Sequence, residues 1–244
     1  MECPKCHHER MIWDRVCDHC GLIYEKYEAQ QKRLEATRYH LDDAPSGSRL
    51  GGLWSALMTP NDSLCQFPWV YAVLWLTFVA WGFSYMVEEL SLLGLKGNFL
   101  HQINLPFHEA GHIVFLPFGD FMHSLGGTLG QLLMPVICGI ALLWSRQDTF
   151  GASLCLWWFG ENFLDIAPYI ADARAGVLPL IGGNIGKAAP YGFHDWEFIL
   201  GETGLLHYDK TFGAISLNVG RGIMFAAMLW GAGLLIRAWQ GRSS

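Results

Sequence analysis

The chain has 244 residues, 52% of them hydrophobic and 16% charged, with eleven Trp and fifteen Phe. That balance departs from soluble norms, and a formal charge of −6 leaves no basic surface for nucleic acid. The length allows one domain or a small domain beside a larger one. No phosphate loop or dinucleotide fingerprint is present, and the polar N-terminus is not a secretory signal, so the first apolar segment is expected to act as its own uncleaved signal.

Residues 1–24 read Cys3-x2-Cys6-x10-Cys17-x2-Cys20 followed by Gly21. This spacing brings four thiolates into a tetrahedron and predicts a zinc ribbon. Four sulfurs leave no open coordination position, so this zinc is structural and supplies most of the segment's folding free energy. Metal-binding thiols must stay reduced, which places the N-terminus in the cytosol. Cys65, Cys138 and Cys155 lie scattered in apolar sequence and read as small core residues.

Residues 25–65 read as a polar helix and linker. Glu28/Lys32 and Gln31/Glu35 stand at four-residue spacing in a helix reaching His40, and Pro45, Ser46, Gly47, Ser48, Gly51 and Gly52 mark a flexible stretch. Residues 66–244 form the transmembrane domain, with spans expected at 67–87, 124–144, 150–170 and 217–239. The third of these holds Glu161 and Asp165, and an acid at membrane depth is costly enough to need a function.

Eight of the sixteen Lys and Arg lie before residue 50. With four spans, the positive-inside rule puts both termini in the cytoplasm of a protein integral to an inner or plasma membrane. Residues 171–211 then lie outside, with an irregular loop at 182–186 and a short amphipathic helix opening at His194-Asp195-Trp196. No internal repeat is visible along the chain.

The stretch from Leu100 to Phe118 carries His108-Glu109-Ala110-Gly111-His112, an H-E-x-x-H motif bounded by Pro106 and Pro117. Its polar content suits a helix that dips into the protein interior without necessarily crossing. Residues four apart share a helix face, so both imidazoles can hold one zinc while Glu109 serves as general base. A third ligand is expected from Glu161 or Asp165, one helical turn apart. In the preferred arrangement Glu161 ligates and Asp165 orients a ligand histidine; in the other, Asp165 ligates and Glu161 or Asn162 supports.

This motif in an apolar helix, followed some fifty residues later by an acid in a second one, resembles the site-2 protease class of intramembrane zinc metalloproteases. The resemblance covers residues 100–170. It implies a zinc held by His108, His112 and an acid, with Glu109 as base, cleaving membrane-embedded protein substrates. The Glu161-x-x-x-Asp165 spacing is also similar to the glutamate zincins, including Ste24-like membrane proteases.

The sequence therefore predicts an all-α polytopic membrane protein, about four transmembrane helices plus the H-E-x-x-H helix, behind an N-terminal ribbon. Its expected function is zinc metalloendopeptidase, with one catalytic and one structural zinc and a lipid bilayer around it. The expected substrate is a membrane or membrane-proximal protein, and the ribbon would meet a cytosolic partner. The alternative is a non-enzymatic zinc sensor, transporter or adaptor. His101, His123, His194 and His207 read as interfacial or loop residues; His194 beside Asp195 could bind substrate, though no spacing requires it. Gly126-Gly127-Thr128-Leu129-Gly130 reads as a close-packing helix face.

Overall fold

The computed structural model describes residues 2–9, 14–32, 49–90, 99–180 and 183–241, with backbone only at 49 and 50. The expected end of the polar helix, the stretch 42–48 and Gly182 lie outside the described residues. The chain divides into two compact units, Met1–Leu57 and Met58–Ser244.

The first unit holds two knuckles that repeat with a 14-residue offset. The Cys3 amide donates to the His8 carbonyl and the Cys17 amide to that of Leu22, each at 2.9 Å. His7 and Gly21 donate back to the carbonyls of Cys3 and Cys17. Isolated bridges pair Glu2 with Glu9 and Val16 with Ile23. This repeat escapes composition because the equivalent positions share only their cysteines. A helix follows over 24–32, and α1 covers Arg49–Leu57.

The second unit is all-helical among the described residues, comprising α2 (Asp62–Gln66), α3 (Pro68–Met86), α4 (Phe99–Phe115), α5 (Asp120–Ala141), α6 (Thr149–Ala171), α7 (Asp195–Glu202) and α8 (Asp209–Gln240). Three helices are long and apolar enough to cross a membrane, over Pro68–Met86, Asp120–Arg146 and Leu206–Gln240. The fourth expected span, α6, has the length at 23 residues but not the composition. It is the central helix, burying Trp157, Glu161, Asn162 and Leu164 between its neighbours. α3 does the opposite, turning Val70, Val73, Leu76 and Phe83 outward.

Small residues let the helices approach. At Gly220 of α8 an added Cβ would lie 2.5 Å from the Gly160 carbonyl of α6, and Ser216 Oγ donates to the Phe163 carbonyl at 2.8 Å. α3 runs antiparallel to α8, with Trp69 stacked near Trp239 at one end and Trp75 Nε1 donating to the Met228 carbonyl further along. α5 is antiparallel to α6, Gly139 facing Cys155 and Gln131 reaching Asp165. At the turn between them, Asp148 caps α6 by accepting from the Gly151 amide at 2.9 Å and also accepts from Asn61 Nδ2 at 2.7 Å.

α4 covers only part of this depth. Leu100 near its start packs beside Trp157, Leu164 and Met224 in the middle of the bundle, and His112 near its end meets His123 in the first turn of α5. α4 and α5 touch backbone to backbone: a Cβ on Gly126 would lie 2.7 Å from the Gly111 carbonyl, and one on Gly111 would run into that of Gly126. The glycine run 126–130 is thus a packing face, and it decides how near α5 comes to the histidines.

Candidate metal centres

Two groups of side chains are able to hold a metal ion. In the first, the sulfurs of Cys3, Cys6, Cys17 and Cys20 lie within 4.8 Å of one another. Cys3 to Cys20 and Cys6 to Cys17 are both 3.7 Å, close to the edge of about 3.8 Å that four Zn–S bonds of about 2.3 Å give a tetrahedron. Burial pushes the Cys3 thiol up, but the amides of Lys5 and Cys6 and the adjoining thiols draw it down to about 6. The amide of His8 lowers Cys6, yet burial and the other three thiols push it up to about 12. The amide of Cys20 and the Tyr24 hydroxyl lower Cys17 as well, and a metal must displace the thiol protons that remain.

The second group is His108, His112 and Asp195. The two rings stand one turn apart on α4, centroids 4.8 Å from each other. His112 Nδ1 donates to the His123 carbonyl at 2.7 Å, and His123 Nδ1 returns a bond to the His112 carbonyl at 3.0 Å. His108 Nδ1 lies 2.8 Å from Gln131 Oε1, and Gln131 Nε2 donates to Asp165 Oδ2 at 3.4 Å. A carboxylate only accepts, so Gln131 gives Asp165 its NH2 and His108 its oxygen.

Both neutral rings therefore carry their proton on Nδ1 and turn a bare Nε2 inward. Asp195 Oδ2 faces them, 3.2 Å from His108 Nε2 and 3.3 Å from His112 Nε2. These are the edges expected of a tetrahedron with bonds of about 2.0–2.1 Å. Space for the ion comes from Gly127 of α5, where a Cβ would lie 2.6 Å from His112 Nε2 and closer still to His108 Nε2. Three lone-pair donors and a missing side chain define a cradle of cation size, and the donor set suits zinc.

Glu161 and Asp165 stand elsewhere. Both face α4 one to two turns before His108, where Asn104 Nδ2 donates to Glu161 Oε2 at 3.1 Å and Asp165 Oδ2 at 3.3 Å. Trp158 Nε1 donates to Asn104 Oδ1 at 2.8 Å, and His101 Nδ1 meets Asp165 Oδ1 at 3.0 Å. Asp165 thus reaches His108 only through Gln131, and neither acid joins the group around the imidazoles. The acid there is Asp195, first residue of α7, whose Leu200 and Trp196 pack against Ile166 and Ile170 of α6. No motif spacing links residue 195 to residue 112; the one sequence signal was an acid directly after a histidine at the start of an amphipathic turn.

His194 holds that turn. It is 2% exposed, and its Nδ1 accepts from the Glu197 amide at 3.3 Å, capping α7. Its Nε2 lies 3.9 Å from Asp172 Oδ2, and Asp172 itself accepts from the Val177 and Leu178 amides. Glu109 is exposed on the outer face of α4, aligned with Gln102, Pro106 and Ile113. His207 stacks on Tyr208, outside either cluster.

No family model matches the chain, and no curated protein and no solved structure matches it either. Fold and sites by themselves define its class: among the described residues, an all-helical protein with three helices able to cross a membrane and two clusters able to hold a metal.

Proposed function

We propose that the chain is a membrane-embedded zinc metallopeptidase. The observation that carries the reading is the convergence of His108 Nε2, His112 Nε2 and Asp195 Oδ2, with each ring's N–H committed elsewhere. Three facing acceptors repel unless a proton or a metal cation joins them, and the room beside Gly127 suits a metal. H-E-x-x-H adds the carboxylate that a hydrolytic centre needs and a merely structural one does not.

Bound in the cradle, zinc supplies Lewis acidity, making a water easier to ionise and a peptide carbonyl easier to attack. His108 and His112 through Nε2 and Asp195 through Oδ2 would hold the ion. Glu109 stands exposed on the adjoining face of α4, and as general base it would have to turn toward the ion to take the proton of the attacking water and hand it to the leaving amine. Gln131 and the His123 carbonyl fix the ring tautomers, and Asp165 holds Gln131 in the orientation this requires. Glu161 shares Asn104 with Asp165 and supports the same network.

In this reading α6 crosses the membrane with α3, α5 and α8, since it lies antiparallel between α5 and α8. Four crossings and the basic N-terminal segment then place both termini in the cytoplasm. The four cysteines hold a structural zinc, and the ribbon offers a cytosolic partner or substrate tail its surface.

The test is metal content together with cleavage in the purified full-length protein. Wild type carries two zinc ions per chain. Glu109→Gln keeps both but loses peptide cleavage; His108→Ala or Asp195→Ala keeps one; Cys17→Ala keeps the other. A transporter, sensor or adaptor would retain its activity in Glu109→Gln. Two zinc ions in Asp195→Ala, or undiminished cleavage by Glu109→Gln, refutes the proposal.

A further inference from the structure

The His108–His112–Asp195 cluster lies to one side of the middle of the helical unit. Gly127 lies 7 residues after Asp120, where α5 begins, and 19 before Arg146, where its π-helical extension ends. At about 1.5 Å per residue the cradle is about 10 Å from one end and about 28 Å from the other. The two pieces that complete it meet toward the near end. α4 starts at mid-depth beside Trp157 and runs out to His112. Asp195 comes from residues 172–208, which connect α6 to α8 at that end.

The two ends differ in chemistry. The far end carries Trp69 and Trp239 in contact, Trp144 with 88% of its surface exposed, and the cations Arg146 and Arg237. Exposed tryptophans and terminal arginines mark a membrane–water boundary. The near end carries Asp120, Asp172, Asp195, Glu197, Glu202 and Asp209 beside Arg174, Lys187 and Lys210, with Arg174 paired with Asp209 at 2.6 Å. α3, the first crossing, begins at the far end, and eight of the sixteen Lys and Arg precede it in sequence. By the positive-inside rule the far end is cytoplasmic.

We propose that the metal centre opens on the non-cytoplasmic side and that its substrates are unwound, juxtamembrane stretches of membrane proteins on that side. The inference rests on the peptidase reading for the chemistry, but the sidedness rests on the helices alone. A centre about 10 Å from the boundary draws water directly from that side, with no channel from mid-bilayer. A peptide carbonyl engaged in a helix is already hydrogen-bonded, so the bond to be cut lies where a substrate helix ends.

Two measurements on the full-length chain test this. Single cysteines are introduced as Lys187→Cys near the metal centre and Ser145→Cys at the far end, and intact cells are treated with a membrane-impermeant maleimide. Lys187→Cys gains one label over wild type from outside, and Ser145→Cys gains it only after permeabilisation. In parallel, two single-span reporters carry the same flexible segment, one on each side of the membrane. The non-cytoplasmic reporter is cut at least tenfold faster, and Glu109→Gln abolishes the cut.

Labelling of Ser145→Cys from outside, with Lys187→Cys protected, overturns the sidedness whatever is cut. Preferential cutting of the cytoplasmic reporter overturns the substrate assignment. If labelling is as expected and neither reporter is cut, the peptidase reading falls and the substrate assignment with it, while the position of the metal centre stands.

Discussion

Gly127→Ala is the sharpest probe of the inner metal centre, because its methyl would take the place assigned to the ion. The three atoms nearest an added Cβ all belong to His108 and His112, with His112 Nε2 at 2.6 Å. Ordinary contact begins at 3.4 Å, so that nitrogen must retreat by about 0.8 Å (3.4 − 2.6), against a tolerance of about 0.2 Å in metal–ligand bonds. Neither ring can turn away freely, since each Nδ1 is tied at 2.7–2.8 Å. The expected result is a fall from two bound zinc ions to one. Affinity at the inner centre should drop by at least about 100-fold, the upper range seen when supporting groups of metal sites are removed. Chelator competition followed by elemental analysis of the full-length protein reads this directly. Gly126→Ala is the contrasting variant, for its methyl meets the Gly111 carbonyl and disturbs helix packing first. Two tightly held zinc ions in Gly127→Ala would show that the ion does not sit between the two Nε2 atoms.

Gln131→Ala removes the acceptor of His108 Nδ1 and should weaken zinc at the inner centre by about 10- to 100-fold while leaving the ribbon zinc in place, as read by competition with a fluorescent chelator. His7 adopts φ +60 at the position where the second knuckle has Gly21 at φ +69. His7→Gly should therefore stabilise the zinc-loaded ribbon by roughly 1 kcal/mol, measured as a higher melting temperature of that transition. Zinc binding at the ribbon must remove the Cys6 proton, so its affinity should fall as pH is lowered, and more steeply below about 6, where Cys3 also gains a proton. Calorimetry in buffers of different ionisation enthalpy should count the released protons.

Much of this architecture was legible in the sequence because the relevant signals are local. Cysteine spacing brought together the four thiols of the first cluster, and i,i+4 spacing put His108 and His112 on one face of α4. The third donor was not legible, since the contact between residues 112 and 195 depends on how residues 172–208 fold back over α5 and α6. Glu161 and Asp165 drew attention as acids at membrane depth, but an acid there needs only saturating partners. Asn104, His101 and Gln131 supply them, each on a helix whose relative rotation no sequence period reveals. The fourth expected span, α6, has the length of a lipid-facing helix and the composition of a buried one.

The mid-depth start of α4 also sets an order of assembly. Its inward face carries His101, Asn104, His108 and His112, which find their partners on α5, α6 and α7, all synthesised later. Until residue 195 has left the ribosome, the histidines lack their carboxylate. The nascent chain thus makes its first two long apolar helices with the inner cluster incomplete, and the three side chains can meet only once the segment leading into α8 has been made.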